Sequence, residues 1–304
     1  MPATKFKCPN SDEILIETCL RNCPHAERCM AKPTLVAIAE SVKDRGLELP
    51  SVTELINGTR ETYLRKTKDY AVSPADQIFA LHGSAFHGVN ESADDKIITE
   101  ERFSDNICCG KIDCYGRDVL ARNKLTLLDH KVTSSYKAMK TLGYYRVDIP
   151  TGEVYKSGLK KGQPKTRKEW KTDGVKEVFE YALQLNYYRL LLEEQGYEVG
   201  ELVIQLFVRD WNTRIATERN ITKPVYLLKI NKISNHWLKL WFKAKRERLD
   251  KAMAIGITEQ CNHRETWHGR KCKDYCAVAE YCHYGQLIKG FNPEEAKETL
   301  KDAA

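Results

Sequence analysis

The spacing of eight cysteines is the feature that most constrains this chain. Two clusters repeat the pattern C-x10-C-x3-C-x5-C, and their members are Cys8, Cys19, Cys23 and Cys29 near the beginning and Cys261, Cys272, Cys276 and Cys282 near the end. Such a spacing rarely recurs by chance, and clustered thiols in a reducing compartment indicate metal ligands rather than disulfides. We therefore predict cysteine-rich metal modules at residues 1–32 and 259–304, with a central domain at residues 33–258.

The cysteine spacing does not identify what the two clusters hold. Zinc and [4Fe–4S] clusters both accept four thiolates, so either one fits. Residues 1–32 contain too little apolar material for a self-sufficient core, which indicates that a bound metal stabilises this module. The three other cysteines, Cys108, Cys109 and Cys114, fall in a predicted strand region and are expected to be small core or strand residues.

The composition limits the class of protein. Of the 304 residues, 42% are hydrophobic, and no apolar run approaches the ~20 residues that a bilayer span needs. The first ten residues lack the apolar stretch of a signal peptide, so we expect a cytoplasmic protein that does not contact a membrane. A net charge of +7 permits an anionic partner without requiring one.

Two β-rich segments, residues 107–115 and 124–131, carry the first candidate site. Asp113 lies on the first strand, while Asp129 and Lys131 lie two apart on the second and share a face. Two carboxylates beside an ammonium suit a divalent cation and an activated water. For a lone Asp-x-Lys, a surface salt-bridge ladder is the commoner alternative.

The flanking segments predict an α/β fold in which helices flank a short mixed sheet. Helical periodicity covers residues 74–91 and 173–194, and further strands are predicted at 97–103, 201–210 and 225–230. Other helices are predicted at 33–43, 234–255 and 293–301.

The first long helix carries His87, and Glu91 follows one turn later on the same face. Gln184 and Tyr188 project together from the second long helix. Glu91 and Glu101 are candidates for outer groups of the site, although a surface salt bridge is the commoner interpretation for both.

A basic segment at residues 151–172 separates the strands from the second long helix. It contains seven basic and two acidic residues, and Gly158, Gly162 and Pro164 argue against regular structure. The segment is expected to be a flexible loop that either contacts a phosphate backbone or is merely solvated.

In chain order, these motifs resemble the RecB-type branch of the PD-(D/E)XK nuclease superfamily, which holds the RecB and AddB nuclease domains and the CRISPR-associated RecB-like exonucleases. The similar segments are Gly-Ser-Ala-Phe-His (83–87) to GxxxH, Gly-Lys-Ile-Asp (110–113) to GhxD, Leu-Leu-Asp-His-Lys (127–131) to D-x-K and Gln-Leu-Asn-Tyr-Tyr (184–188) to Q-x3-Y. The ordered set, over about residues 74–210, carries the resemblance, because no single motif is specific.

The resemblance implies a restriction-endonuclease-like core that binds Mg²⁺ or Mn²⁺. It implies that His87, Asp113 and Asp129 hold the metal and that Lys131 positions or deprotonates the attacking water.

By the same resemblance, Gln184 and Tyr188 orient the site and contact the DNA strand. Several RecB-type nucleases join their ends through a [4Fe–4S] cluster that uses one N-terminal cysteine and three C-terminal ones spaced C-x2-C-x5-C. Here the spacing from Cys272 to Cys282 is one residue longer, and a complete N-terminal set is present. Two self-contained sites and sites shared between the ends therefore both stay open.

Together these features predict a metal-dependent deoxyribonuclease, an exonuclease rather than an endonuclease, in DNA recombination, DNA repair or the processing of phage or mobile-element DNA. The alternative is a non-catalytic DNA-binding or partner-docking protein that keeps the nuclease fold. A helicase or recombination-protein partner is compatible with the resemblance, but the sequence does not support one. No Walker-type G-x4-G-K-[ST] motif occurs, so no ATP-driven motor is expected.

Overall fold

The computed structural model describes residues 3–10, 12–43, 46–90 and 97–290, and these form a mixed α/β structure, as the sequence predicts. The helices are α1 (Ile16–Arg21), α2 (Lys32–Ser41), α3 (Val52–Ile56), α4 (Thr59–Thr67), α5 (Pro74–Asn90), α6 (Ser135–Thr141), α7 (Phe179–Glu194), α8 (Arg214–Glu218), α9 (Asn235–Ile255), α10 (Arg270–Asp274) and α11 (His283–Lys289). The strands are β1 (Lys5–Lys7), β2 (Glu13–Leu15), β3 (Ala71–Val72), β4 (Ile98–Ser104), β5 (Cys109–Arg117), β6 (Leu125–Thr133), β7 (Tyr144–Val154), β8 (Pro164–Thr172), β9 (Glu201–Val208) and β10 (Val225–Lys229). Of the helices in these ranges, none has both the length and the apolar character needed to cross a membrane.

The central sheet has the strand order β10–β9–β6–β5–β4. Strands β6 and β9 are parallel, while the other neighbours are antiparallel. A parallel pair requires a crossover connection, and this one contains α6, the β7–β8 hairpin and α7. The strand that carries Asp129 and Lys131 is therefore the middle strand of the sheet.

Helix α7 covers one face of the central sheet. Its inward side chains Leu183, Tyr187, Leu190 and Leu191 are at most 2% exposed and pack with the buried residues of β6 and β9. The Tyr187 ring also stacks on Phe242 of α9, with the ring centres 4.0 Å apart. Because α7 is clamped between the sheet and α9, its polar side chains are held in fixed positions over the sheet.

The two ends of the chain share a second core. Strand β1 pairs antiparallel with β2 and parallel with β3. Its core combines N-terminal and C-terminal side chains, namely Phe6, Cys19, Leu35, Ile38, Leu64, Val72 and Val278. The hydroxyl of Tyr281 also donates to the backbone carbonyl of Asp69 at 2.6 Å. The division at residues 32 and 258 stays a prediction, but the two terminal segments lie side by side.

Most predicted elements are observed within a few residues of their expected bounds. At the N-terminus of α3, Ser51 and Glu54 form a capping box. Helix α7 is an exception, because it begins at Phe179 rather than Asp173. Glu177, just before it, has a φ of 52°, which interrupts a right-handed helix. The predicted helix at 293–301 lies outside the described residues.

The basic segment was expected to be an irregular loop, and that prediction is wrong. Strands β7 and β8 form an antiparallel hairpin in which Tyr144 pairs with Thr172 and Val154 with Pro164. The glycines lie in the tip between the strands, so they shape a turn without interrupting the ladder. The proline is the first residue of β8, a position that tolerates its missing N–H group.

Candidate metal centre

Asp113 and Asp129 lie near each other at the end of the ladder between β5 and β6. The pairing of the two strands ends at Cys114 and Leu128, and the two aspartates occupy the next position of each strand. There the Asp113 side chain takes part in the ladder, because its Oδ2 accepts the backbone N–H of His130 at 2.7 Å. The exposed fractions are 8% for Asp113 and 1% for Asp129, so both carboxylates are buried.

Lys131 projects from the same face of β6 as Asp129. Its Nζ lies 2.6 Å from Oδ2 of Asp129 and 5.7 Å from the centre of the Tyr181 ring. The other oxygen of Asp129, Oδ1, is buried and has no hydrogen-bond partner among the described residues. Asp129 and Lys131 thus form a salt bridge, but a buried one rather than part of a surface ladder. Oδ1 of Asp129 is a buried oxygen that can accept from a ligand.

His87, Glu100 and Asp113 form a compact group of ligand atoms. Nδ1 of His87 lies 2.8 Å from Oε1 of Glu100 and 3.5 Å from Oδ1 of Asp113. One ligand atom from each residue lies within 4.8 Å of the other two, and no second group of three His, Cys, Asp or Glu residues meets this distance in the part of the chain that the structure describes. An imidazole with hard carboxylate oxygens suits Mn²⁺ or Mg²⁺.

The backbone of Glu100 is strained where its side chain enters the group. Its φ is 53°, in the left-handed region that residues with a Cβ rarely adopt. The side chain is only 6% exposed, and its Oε2 accepts from Nζ of Lys111 at 2.6 Å. Strained backbone of this kind concentrates at functional sites.

Glu100 is a residue that the sequence reasoning missed, since the patterns pointed to Glu91 and Glu101. Glu91 lies outside the described residues, and Glu101 is exposed. Thr99 pairs with Cys114 and Glu101 pairs with Ile112, so the register of β4 and β5 places Glu100 opposite Asp113. Adjacent residues of a strand face opposite ways, so only a correct register distinguishes Glu100 from Glu101.

The charges of the group are mutually dependent. Burial and the nearby Asp129 carboxylate raise the pKa of Asp113 to about 8. For Lys131, burial disfavours the ammonium, but the carboxylates of Asp129 and Asp113 outweigh burial and raise its pKa. Lys131 therefore keeps its proton at neutral pH, and adding a cation would lower the cost of ionising two carboxylates that lie near each other.

Gln184 and Tyr188 lie beside this group on α7. Nε2 of Gln184 donates to the hydroxyl of Tyr188 at 2.8 Å. Burial first and then the charge of Asp129 raise the pKa of Tyr188, which places its hydroxyl close to the carboxylate. The structure thus brings the two α7 residues to the same site as the strand residues.

Gly110 leaves room for the Tyr188 ring, which predicts a specific cost for Gly110→Ala. A Cβ at this position would lie 2.5 Å from Cε1 of Tyr188, so the variant should lose about 1–3 kcal/mol of unfolding free energy through overpacking. Gly83→Ala is the control, because its Cβ would meet nothing within 4 Å and an interior helical alanine gains about 0.5–1 kcal/mol. Urea unfolding measures both, and equal stability of the two variants would contradict the packing described here.

Helix α5, which supplies His87, is held on the opposite face of the sheet by aromatic contacts. The centre of the Phe86 ring lies 4.1 Å from the ring centre of Phe207 on β9 and 5.3 Å from that of His130. Burial and the neighbouring His87 lower the pKa of His130 to about 4, so its ring is neutral and packs as an aromatic. The imidazole of His87 thus reaches the acidic group from an anchored helix.

A cleft of about 550 Å³ opens beside the metal group and is lined by Gly110, Lys111 and Tyr188. Five basic side chains line it, namely Lys43, Arg65, Lys66, Arg102 and Lys111. Among the described residues, Glu54 is its single acidic lining residue. Four of these cations are ion-paired, namely Lys43 with Glu40, Arg65 with Glu61, Lys66 with Glu54 and Lys111 with Glu100. Through Lys111, the cleft adjoins the metal group.

The four C-terminal cysteines line one small cavity of about 20 Å³. Burial raises the pKa of both Cys261 and Cys276 to about 11, so these thiols keep their protons unless a metal displaces them. Cys261 also accepts the backbone N–H of Glu61 in the first turn of α4, where the helix dipole favours a thiolate. The four thiols thus surround one cavity, although no three of their sulfur atoms lie within 4.8 Å of one another.

The N-terminal cysteines form a separate group. Burial first, and then the neighbouring thiols of Cys23, Cys29 and Cys8, raise the pKa of Cys19. Each quartet thus has its members near one another, which favours two self-contained sites over sites shared between the ends.

Buried ion pairs attach the C-terminal cysteine segment to the helices around it. Nζ of Lys271 lies 2.6 Å from Oε2 of Glu61, and Nζ of Lys245 lies 2.7 Å from Oε1 of Glu265. Lys245 also donates to the backbone carbonyl of Asn57 at 2.6 Å. Buried charges require partners, so this segment has to keep its position for α4 and α9 to keep theirs.

Comparison with known proteins gives few matches. No protein-family model matches the chain, and no curated protein matches it. It is similar to the crystal structure of SSO0001, with a TM-score of 0.42 and 13% sequence identity over 82% of this chain and 93% of that chain.

Proposed function

We propose that this protein is a metal-dependent DNA nuclease with a PD-(D/E)XK core, acting on DNA ends as an exonuclease. The observation that carries the proposal is the partly buried group of His87, Glu100 and Asp113, with Asp129 and Lys131 on the adjoining strand. A buried group of carboxylates with a histidine and a protonated lysine matches the needs of phosphodiester hydrolysis.

Each residue of the site has a role that follows from its geometry. His87, Glu100 and Asp113 would hold Mg²⁺ or Mn²⁺, and Asp129 contributes its unpartnered Oδ1 beside them. When bound, such an ion neutralises phosphoryl oxygens and acidifies a water. Because Lys131 keeps its proton, it positions the nucleophile and offsets negative charge rather than acting as a base.

The basic cleft supports DNA as the substrate. Arg102 and Lys66 lie along it, and Lys111 and Tyr188 belong both to the cleft and to the surroundings of the metal group. A groove that carries basic side chains beside the metal group would guide a phosphate backbone toward it.

The cysteine quartets have a structural role in this proposal. Each would hold zinc or an iron–sulfur cluster, because the members of each quartet lie near one another. The C-terminal quartet flanks one wall of the cleft, to which Tyr275 and Ala277 contribute on either side of Cys276.

Metal binding should stabilise the fold through Glu100. At a Mn²⁺ concentration of 100 times Kd, the stabilisation is about 2.7 kcal/mol, which raises Tm by a few degrees. Glu100→Gln should lose most of this increase, whereas Glu101→Gln, an exposed neighbour, should keep it. Thermal unfolding with and without Mn²⁺ gives the comparison, and an undiminished shift in Glu100→Gln would remove Glu100 from the ligand set.

The exonuclease activity is tested with linear and covalently closed circular DNA in Mg²⁺, in Mn²⁺ and in chelator. We expect the linear DNA to be degraded in either metal and the closed circle to survive. Cleavage of the closed circle would instead identify an endonuclease, and binding of both DNAs with no hydrolysis in either metal would favour a non-catalytic DNA-binding protein.

A further inference from the structure

The β7–β8 hairpin is a ribbon that stands away from the rest of the molecule. At about 3.4 Å per residue, the 11 residues of β7 reach roughly 35 Å. Most side chains on both of its faces are exposed, unlike those of the central sheet. A free two-stranded ribbon is only marginally stable by itself, so its length serves something other than the core.

The base of the ribbon is anchored, and its tip is ordered. At the base, Tyr144 packs against the small core around Ala138 and Val208, and the Arg146 guanidinium lies 4.6 Å from the centre of the Trp170 ring. At the tip, the backbone N–H of Gly162 donates to the carbonyl of Tyr155 at 2.9 Å. The ribbon is therefore a defined element that presents its side chains in fixed order.

The charge of the ribbon is strongly positive and mostly uncompensated. Residues 144–172 contain eight basic and three acidic side chains. Glu153 pairs with Lys165 at 2.9 Å and Glu169 with Arg167 at 3.5 Å, while Asp148 lies opposite Lys168 in the ladder. Among the described residues, no carboxylate lies within ion-pair distance of the remaining lysines, which are Lys156, Lys160, Lys161, Lys168 and Lys171.

The tip combines these cations with an apolar side chain. Leu159 is fully exposed, at 106% of its reference area, between Lys156 and Lys160. An exposed leucine within a lysine cluster suits a groove that is anionic at its walls and apolar at its floor, as the grooves of duplex DNA are.

The ribbon begins next to the candidate metal centre. Helix α6 follows β6 directly and leads into β7. Nζ of Lys131 and Nζ of Lys137 lie 5.7 and 5.8 Å from the centre of the same ring, Tyr181. A polymer bound at the metal centre can therefore continue along the ribbon.

From these observations we propose that the β7–β8 ribbon is a duplex-DNA-binding arm. Its lysines contact phosphates on both sides of a groove, and Leu159 packs inside the groove. A two-stranded ribbon has the dimensions to enter a groove of B-DNA. This inference rests on the proposed function for its choice of DNA, but it assigns a second binding surface outside the cleft.

The test is the salt dependence of duplex binding, measured by fluorescence anisotropy in chelator so that no hydrolysis occurs. The ribbon variant carries Lys156→Gln, Lys160→Gln and Lys161→Gln. The control variant carries Lys239→Gln, Lys243→Gln and Lys251→Gln on α9, which changes the net charge equally. Circular dichroism establishes that both variants are folded.

Three lost phosphate contacts should reduce the slope of log K against log salt by about 2–3 and weaken binding about 10- to 100-fold. The control should bind as the wild type does. Leu159→Ala should weaken binding without changing the slope, because it removes no charge.

If the two triple variants change duplex binding equally, or if neither changes it, the proposal of a DNA-binding arm is contradicted. A loss of binding to vesicles of anionic lipid with duplex binding unchanged would also contradict it, since that outcome assigns the ribbon to a membrane surface. Failure of the arm and failure of the nuclease are distinguishable. If the wild type hydrolyses DNA and the ribbon variant binds DNA as the wild type does, only the proposal of the arm fails. If the ribbon variant binds DNA more weakly but the wild type hydrolyses none, only the proposal of the nuclease fails.

Discussion

Lys131→Ala and Asp129→Ala are each expected to lower the rate of DNA hydrolysis by about 10³-fold or more. Lys131 is the protonated cation of the site, and its Nζ lies 2.6 Å from Oδ2 of Asp129. Removing the lysine withdraws the charge that offsets the phosphoryl oxygens. Removing the aspartate removes a buried carboxylate oxygen that can bind the metal, and it leaves Lys131 without its closest partner. Single-turnover degradation of end-labelled DNA in Mn²⁺ measures both variants.

The control for these variants is Lys137→Ala. Lys137 lies over the same Tyr181 ring as Lys131. Its Nζ, however, donates to the backbone carbonyl of Glu177 at 3.3 Å and not to Asp129. Removing the Lys137 side chain tests whether DNA hydrolysis depends on any cation in this region or on Lys131 specifically. Undiminished cleavage by both Lys131→Ala and Asp129→Ala would disprove the assignment of the site.

Cys272→Ser is expected to have the largest effect on stability. Cys272 is 9% exposed and lines the cavity that the C-terminal thiols share. Structural zinc contributes about 10–16 kcal/mol in small zinc domains, so losing the metal should detach this segment. Its detachment would leave the charge of Glu61 without Lys271, and breaking a buried pair costs about 3–5 kcal/mol. Thermal unfolding and metal analysis of the anaerobically purified protein give the two readouts.

The same measurement on Cys19→Ser distinguishes self-contained from shared sites. With two self-contained sites, Cys272→Ser and Cys19→Ser should each lose one site's metal and the double variant should lose both. Cys114→Ser, in a strand outside both quartets, should keep the full metal content. Loss of the same single site in both Cys272→Ser and Cys19→Ser would establish shared sites instead. A brown protein with iron and sulfide identifies iron–sulfur clusters, and a colourless one with about two zinc atoms identifies zinc.

The parts of the fold that follow from local pattern were predictable. Alternation in the two central strands places Asp129 and Lys131 on one face, and helical spacing places Gln184 beside Tyr188. The capping box at Ser51 is likewise a short-range signal. Such features depend on residues a few positions apart, which a sequence displays directly.

The parts that depend on register or on long-range pairing were not predictable. Glu100 joins His87 only because β4 pairs with β5 in one register and its backbone adopts a positive φ. The ribbon forms because β7 and β8 pair across a tip that contains Gly158 and Gly162. In both cases the deciding interaction is a backbone pairing that leaves little trace in composition.

The central claim, that the partly buried group is a metal-dependent hydrolytic site, is tested most directly by titrating Mn²⁺ into metal-free protein while following both product release and Tm. The account predicts no hydrolysis without metal, and a rise in rate that saturates over the same Mn²⁺ concentrations that raise Tm. Hydrolysis that persists in chelator, or a metal-saturated protein that releases no product from DNA, would contradict it.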